Sequence, residues 1–270
     1  MPRLFRFARR AALALGALYA LLVVLVYVFQ RRLFYSGDPA PHTAASLGLD
    51  GVRDVVVPTR DGETLRALYL PPAAANRVVI LYLHGSRGYL PDRAPRIKLL
   101  GRDGDGVLFL SYRGYSGSTG TPSQDGLLED ARAAHEFLGR EAPGRKIVVY
   151  GESLGTGVAV KTGATLPVAG VVLDAPYTTA PEVMKSMLPF LPILTLMKDQ
   201  YPTVQWITDL RAPLLVLHGT DDTRVPAAQS EQVFARAPGP KRFVSVPEAG
   251  HGDCLEGATE EVLRFLRSVD

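Results

Sequence analysis

The feature that most restricts this chain is Gly151-Glu152-Ser153-Leu154-Gly155. It directly follows the strand-like run 146–150 and leads into an Ala/Val-rich segment of helical character. A serine on a tight strand-to-helix turn needs small neighbours, because the bent backbone leaves no room for side chains at the two glycine positions. The turn would also place the hydroxyl at a helix N-terminus, where backbone N–H groups favour developing negative charge.

The rest of the chain agrees with such a turn. Residues 55–57 and 65–70 read as a hairpin around Asp61-Gly62. Strands are then predicted over 78–83, 107–112, 146–150, 169–174, 213–218 and 241–246. They are continuous and rich in Val, Leu and Ile, as strands buried on both faces should be. Helical patterns lie between them. Residues 126–139 put Leu127, Leu128, Ala131, Ala134, His135 and Leu138 on one face, and further helices fit after Leu154, Pro226 and Glu256. Strands alternating with helices imply an α/β fold with a mostly parallel sheet covered on both sides. Residues 51–270 form this domain, and residues 36–50, with Gly37, Pro39 and Pro41, read as a linker. Residues 177–211 interrupt the rhythm and are too long for a plain connection. Rich in Leu and Met, and broken by four prolines, they read as a cap insertion.

The N-terminus has a different character. Residues 11–29 are 19 uncharged, almost wholly apolar residues. As a helix they would span roughly 28 Å at ~1.5 Å per residue, close to the hydrocarbon thickness of a bilayer. The run is long, and Gln30-Arg31-Arg32-Leu33-Phe34-Tyr35 follows it without a small-residue cleavage site, so residues 1–35 read as an uncleaved anchor. Four arginines precede the span and two follow it, which favours a cytoplasmic N-terminus and an exported domain. The same arginines explain the net charge of +3: residues 1–32 hold six Arg and no acid, and the remainder is slightly acidic. No other basic run exists, which argues against a nucleic-acid partner. A single cysteine, Cys254, excludes an internal disulfide and a cysteine-based zinc cluster.

Serine is a weak nucleophile and needs a general base. In serine hydrolases built on a strand-to-helix turn the order along the chain is Ser, acid, His. Only His218 and His251 follow Ser153. His218 ends a predicted strand and suits a buried structural imidazole. His251 lies in the loop after the last strand, which can return to the carboxyl edge of the sheet, and is the expected base. Asp221, Asp222 and Asp174 all lie at strand ends, and spacing favours the Asp221/Asp222 pair without separating its members. Residues 114–120, a second glycine-rich turn, lack the spacing of a phosphate-binding loop and read as a sharp connection near the site.

These residues resemble the α/β-hydrolase superfamily, and within it the small, N-terminally membrane-anchored serine hydrolases of the α/β-hydrolase-domain-containing type. The resemblance covers about residues 27–268. Its marks are the segment from Phe29 to Tyr35, Leu81-Tyr82-Leu83-His84-Gly85, Tyr112-Arg113-Gly114-Tyr115, Gly120-x-Pro122-Ser123, the serine motif and Gly250-His251. The family pattern His-Gly-x-x-Asp-x-x-Val-Pro falls on His218, Gly219, Asp222, Val225 and Pro226, and so selects Asp222 as the acid. By the same resemblance the backbone N–H groups of Leu154 and Ser86 would hold the oxyanion. The chain departs from the family at Ser111, Ser116, Gly252 and the turn Ser86-Arg87-Gly88, without losing a triad member.

The expectation is a membrane-anchored serine hydrolase of acyl or lipid-like esters or thioesters, with the bilayer and an acyl ester as partners and no metal or organic cofactor. An amidase or peptidase with the same triad, and a non-catalytic tethered binding protein on the same scaffold, are the alternatives.

Overall fold

The computed structural model describes residues 2–74 and 77–270. The chain begins with the long helix α1 (Pro2–Phe34). A hairpin follows, β1 (Arg53–Pro58) and β2 (Thr64–Leu70), and then the βα units. These run β3 (Val79–Leu83), α2 (Leu90–Leu100), β4 (Gly106–Ser111), α3 (Gln124–Glu141), β5 (Ile147–Glu152), α4 (Leu154–Thr165) and β6 (Gly170–Asp174). The insertion contains three short helices, α5 (Ala180–Met187), α6 (Ile193–Leu196) and α7 (Thr203–Trp206). The last unit is β7 (Leu214–Gly219), α8 (Ala227–Arg236), β8 (Lys241–Val246), α9 (Cys254–Gly257) and α10 (Thr259–Val269).

Among the described residues the strands form one eight-stranded sheet in the order β1-β2-β4-β3-β5-β6-β7-β8. β1 and β2 are antiparallel to their neighbours, and every other pairing is parallel. The runs of β3 to β7 are continuously buried because both faces are covered, whereas β8, expected to be buried as well, is an edge strand and is largely exposed or half-buried. In β3, Val79, Leu81 and Leu83 belong to one core, while Ile80 and Tyr82 belong to the other. β5 divides the same way, with Val149 on the first face and Val148 and Tyr150 on the second. This is the period-two alternation of a pleated strand with two buried sides. Helices α3 and α4 cover the first face, and α2 and α10 cover the second.

The order of strands positions the site. The chain leaves β3 for β4 on one side of it, then crosses to β5 on the other side. Loops leaving the carboxyl ends of β3 and β5 therefore diverge and open a crevice between them, the usual ligand position in a doubly wound sheet. Register places Leu83 beside Gly151, and Glu152 beside Asp174, at that edge.

Two segments differ from the expected organisation. Residues 36–50, read as a linker, lie against the domain: Ala44 and Leu49 are buried, and the Ala44 N–H donates to the Asp54 carboxylate at 3.0 Å. The backbone carbonyls of Asp38 and Pro39 accept from Ser116 and Gly117 at 2.9 and 3.0 Å. The insertion 177–211 flanks the crevice with Tyr177 and its first helix, and residues beyond that helix lie against α1.

Candidate active site

Ser153 stands between β5 and α4 with φ +50° and ψ −116°, a conformation that costs a non-glycine residue roughly 1–3 kcal/mol. Surrounding backbone holds it there. Its N–H donates to the Asp174 carbonyl at 2.9 Å, and its carbonyl accepts from the Thr156 N–H and hydroxyl at 2.9 and 2.6 Å. A Cβ on Gly151 would run into the Gly155 carbonyl, and one on Gly155 into the Leu83 carbonyl. Those two glycines let the turn close against β3.

The loop after β8 returns to this edge. His251 Nε2 lies 2.9 Å from Ser153 Oγ, and His251 Nδ1 lies 2.8 Å from Asp222 Oδ2. Asp222 Oδ1 accepts the N–H groups of Arg224 and Val225 at 2.8 and 3.0 Å. Burial works against the charged carboxylate. The His251 contact and these two N–H groups outweigh it and hold Asp222 below its ordinary value. An ionised Asp222 accepts only, so the imidazole proton sits on Nδ1 and Nε2 is left to accept the Ser153 hydroxyl proton.

The other candidates are elsewhere. Asp221 is exposed and accepts from the Thr220 hydroxyl at 3.1 Å. His218 is buried, its Nδ1 2.8 Å from the Ser230 hydroxyl, which itself donates to the Pro176 carbonyl. Leu154 opens α4, so its N–H has no intrahelical acceptor. Ser86 lies in the turn after β3, where a Cβ on the adjacent Gly85 would come within 3.3 Å of the Ser153 Cβ. Ser86, Leu154, Ser153 and His251 line one cavity of about 760 Å³, counting the solvent at its mouth. Arg87, Arg224 and the α5 residues Val183, Met184 and Met187 complete much of its wall. Among the described residues no group of three or more His, Cys, Asp or Glu side chains converges as a metal site would require.

A profile of the Alpha/beta hydrolase family matches residues 78–208. The chain is 40% identical over 270 residues to uncharacterized protein Rv2307c of Mycobacterium tuberculosis, covering 96% of each chain. It is 33% identical over 176 residues to human protein ABHD12B, covering 58% of this chain and 49% of that one. Its fold is similar to that of the Pyrococcus furiosus esterase PF2001, with a TM-score of 0.71 over 85% of this chain and 94% of the esterase at 19% identity. The chain belongs to the α/β-hydrolase family. The hydrolase scaffold accounts for the sheet order and for the placement of the strand-to-helix turn.

Beneath the turn of this α/β hydrolase lies a charged network that the sequence did not disclose. Glu152 is buried, accepts from Arg93 Nε and Arg96 Nη1 at 3.0 Å each, and accepts the Tyr82 hydroxyl at 2.7 Å. Burial pushes its carboxyl up, but the two guanidinium groups prevail and hold it at about 2. Arg96 also donates to the Gly252 carbonyl and to Glu256. The residue before the serine is thus tied to the residue after the histidine. The glycine-rich turn 114–120 has a supporting role. Its Tyr115 hydroxyl donates to the Ser86 carbonyl at 2.7 Å, and its ring meets the buried His84 ring edge-on at 5.0 Å between centroids. Burial pushes the His84 imidazole down to about 4, so it is neutral there.

Asp174 is not among the partners of His251. Its Oδ2 accepts the Tyr150 hydroxyl at 2.9 Å, and its Oδ1 has no hydrogen-bond partner among the described residues. Burial raises its carboxyl to about 6. A raised folded value means that stability falls as pH rises from the unfolded value near 3.8 through about 6. Asp174→Asn should therefore gain on the order of 1–3 kcal/mol over the parent at pH 7.5, and the gain should vanish by about pH 4. Urea unfolding at both pH values checks this. A gain independent of pH would mean that ionisation of Asp174 is not its source.

Proposed function

We propose that the chain is a membrane-anchored serine hydrolase that cleaves carboxylic esters or thioesters of acyl or lipid-like substrates. The observation that carries the reading is the continuous hydrogen-bonded series Asp222–His251–Ser153, with its hydroxyl on a strained turn at a helix N-terminus. In the proposed reaction the Ser153 oxygen attacks the acyl carbonyl while its proton moves to His251 Nε2. The backbone N–H groups of Leu154 and Ser86 hold the oxyanion. Collapse of the tetrahedral intermediate breaks the bond to the alcohol or thiol, which leaves with the proton from His251. Water then gives its proton to His251 and attacks the acyl-enzyme, releasing the carboxylic acid and restoring Ser153. Asp222 holds the imidazole in the tautomer each step requires. The chemistry calls for no metal or organic cofactor.

Preference for acyl chains is supported by the Met and Val side chains that α5 contributes to the cavity. Anchoring is supported by α1, whose stretch Phe5–Phe34 is long and apolar enough to cross a membrane and has no residue of its most hydropathic window buried. Left in water, such a surface would far exceed the apolar patches normal for soluble proteins. The arginine distribution favours a cytoplasmic N-terminus and a catalytic domain on the exported side.

Ser153→Ala and His251→Ala should each lower kcat for ester hydrolysis by on the order of 10^6, and combining them should cost little more. Asp222→Asn should cost roughly 10^4, because the amide favours the wrong imidazole tautomer. Asp221→Asn should change kcat little. Steady-state kinetics with acyl esters and aminoacyl amides of matched leaving groups checks these values. Faster turnover of the amides would favour an amidase, and an inert wild type that takes no fluorophosphonate label would favour a binding protein.

Sidedness is tested by fusing alkaline phosphatase, active only outside the cytoplasm, after Asp270. The fusion should be active. Activity of a reporter that folds only in the cytoplasm, at the same position, would reverse the orientation.

A further inference from the structure

α1 does more than precede the domain. Val23, Val26, Gln30 and Phe34 are the partly covered positions along its second half, spaced as one helical face. That face meets the cap. Between them lies a second, shallow cleft of about 600 Å³, most of it open to solvent. Val23 and Val26 line one wall, and Leu188 and Leu191 line the other. The Arg31–Asp199 pair, 2.9 Å at its closest, and Gln30 mark its polar end. Leu33, Phe34 and Met184 line both this cleft and the Ser153 cavity, and so form the partition between the two.

The cap also reaches along the apolar span. The Tyr19 hydroxyl donates to the Phe190 carbonyl at 2.8 Å. Tyr19 lies ten residues before the end of the uncharged run at Phe29, about 15 Å along the helix axis and roughly half the thickness of a hydrocarbon core. Backbone polar groups at such depth need partners within the protein. α1 supplies them: besides Tyr19, Gln30 Nε2 donates to the Leu196 carbonyl at 3.2 Å and Gln30 Oε1 accepts the Lys198 N–H at 2.7 Å. The tip of the cap exposes Met187, Phe190 and Leu194 by 56%, 60% and 45%, with Lys185 and Ser186 exposed beside them. A tip of this composition, hydrogen-bonded to the middle of the span, belongs among lipid chains.

We propose that the cleft between α1 and the cap is an acyl-chain site, which receives the fatty chain of a lipid ester sideways from the bilayer and passes it across the Leu33/Phe34/Met184 partition to Ser153. The proposal rests on the ester-hydrolase reading above and adds the location of the chain. A fatty acyl chain fits because the walls are aliphatic and one end adjoins the Ser153 cavity. Met184 suits the partition because an unbranched thioether adapts its shape without leaving a void.

The test uses the full chain in proteoliposomes. A fluorophosphonate carrying a long alkyl tail with a terminal diazirine is allowed to react at Ser153, irradiated, and mapped by mass spectrometry. Crosslinks are expected on the α1 peptides containing Val23 and Val26 and on the cap peptide containing Leu188 and Leu191. Val26→Trp and Leu188→Trp, which fill the cleft from opposite walls, should each lower the ratio of kcat/KM for palmitoyl over acetyl esters roughly tenfold or more. Crosslinks confined to other elements, or an unchanged ratio in both variants, would overturn the acyl site while leaving the hydrolase intact. Equal loss on both esters with a lower Tm would show that the seam only packs the cap, which also overturns it. Failure of the wild type to label at Ser153 would instead overturn the hydrolase reading, and the acyl site with it.

Discussion

Gly155 lies so close to the Leu83 carbonyl that any side chain there would overlap it, and the same holds for Gly151 against Gly155 itself. This contact between the start of α4 and the end of β3 is what keeps Ser153 at positive φ. The serine cannot relax into an ordinary helical or extended conformation without lifting α4 from the sheet. The strain is therefore stored where two layers of the domain meet, and the core on both faces of the sheet opposes its release. The same approach brings Gly85 and the turn at Ser86 next to the serine. One steric constraint thus sets both the nucleophile and one of its two proposed oxyanion donors.

Three carboxylates near the turn behave differently, and their surroundings explain each. Glu152, beside Ser153, is buried yet stays ionised, because two guanidinium groups and a phenol share its oxygens. Asp222 stays ionised through backbone N–H groups and His251. Asp174 has one phenol partner and is raised instead. Of the three, only Asp222 combines retained charge with contact to the imidazole, so burial alone would have been a poor guide to the acid. The Glu152–Arg96 network is structural in its effect: it spans from the turn to Gly252 and limits how far the His251 loop can drift from Ser153.

The fold was legible because strands covered on both faces leave continuous apolar runs, and five such runs, β3 to β7, alternating with amphipathic segments allow few architectures. The positions of Ser153 and His251 were legible because each lies where a strand ends. The acid was not separable from spacing alone, since Asp221 and Asp222 are neighbours that differ only in the direction the turn sends them. The Arg93 and Arg96 pairing with Glu152 left no local trace: the partners are 59 and 56 residues apart and meet only once the sheet is assembled. The packing of residues 36–50 was hidden for a similar reason. A Gly- and Pro-containing stretch has no periodicity, and its contacts are backbone carbonyls reaching the 114–120 turn.

The same distinction applies to α1, whose apolar length was plain while its attachment was not. Arg31 grips the Asp199 carboxylate through two bonds of 2.9 and 3.0 Å, and Asp199 Oδ1 also accepts the Gln124 N–H at the start of α3. Gln124 Oε1 in turn accepts the N–H groups of Gln200 and Tyr201. A helix joined only by a flexible tether would leave the domain free to turn at the membrane surface. This ladder instead fixes α1 to the cap and to α3, which packs directly on the sheet. Any membrane that holds α1 must then also hold the crevice at one height and one orientation. A fixed orientation suits a site whose substrate arrives from a fixed direction, as the proposed acyl site between α1 and the cap requires.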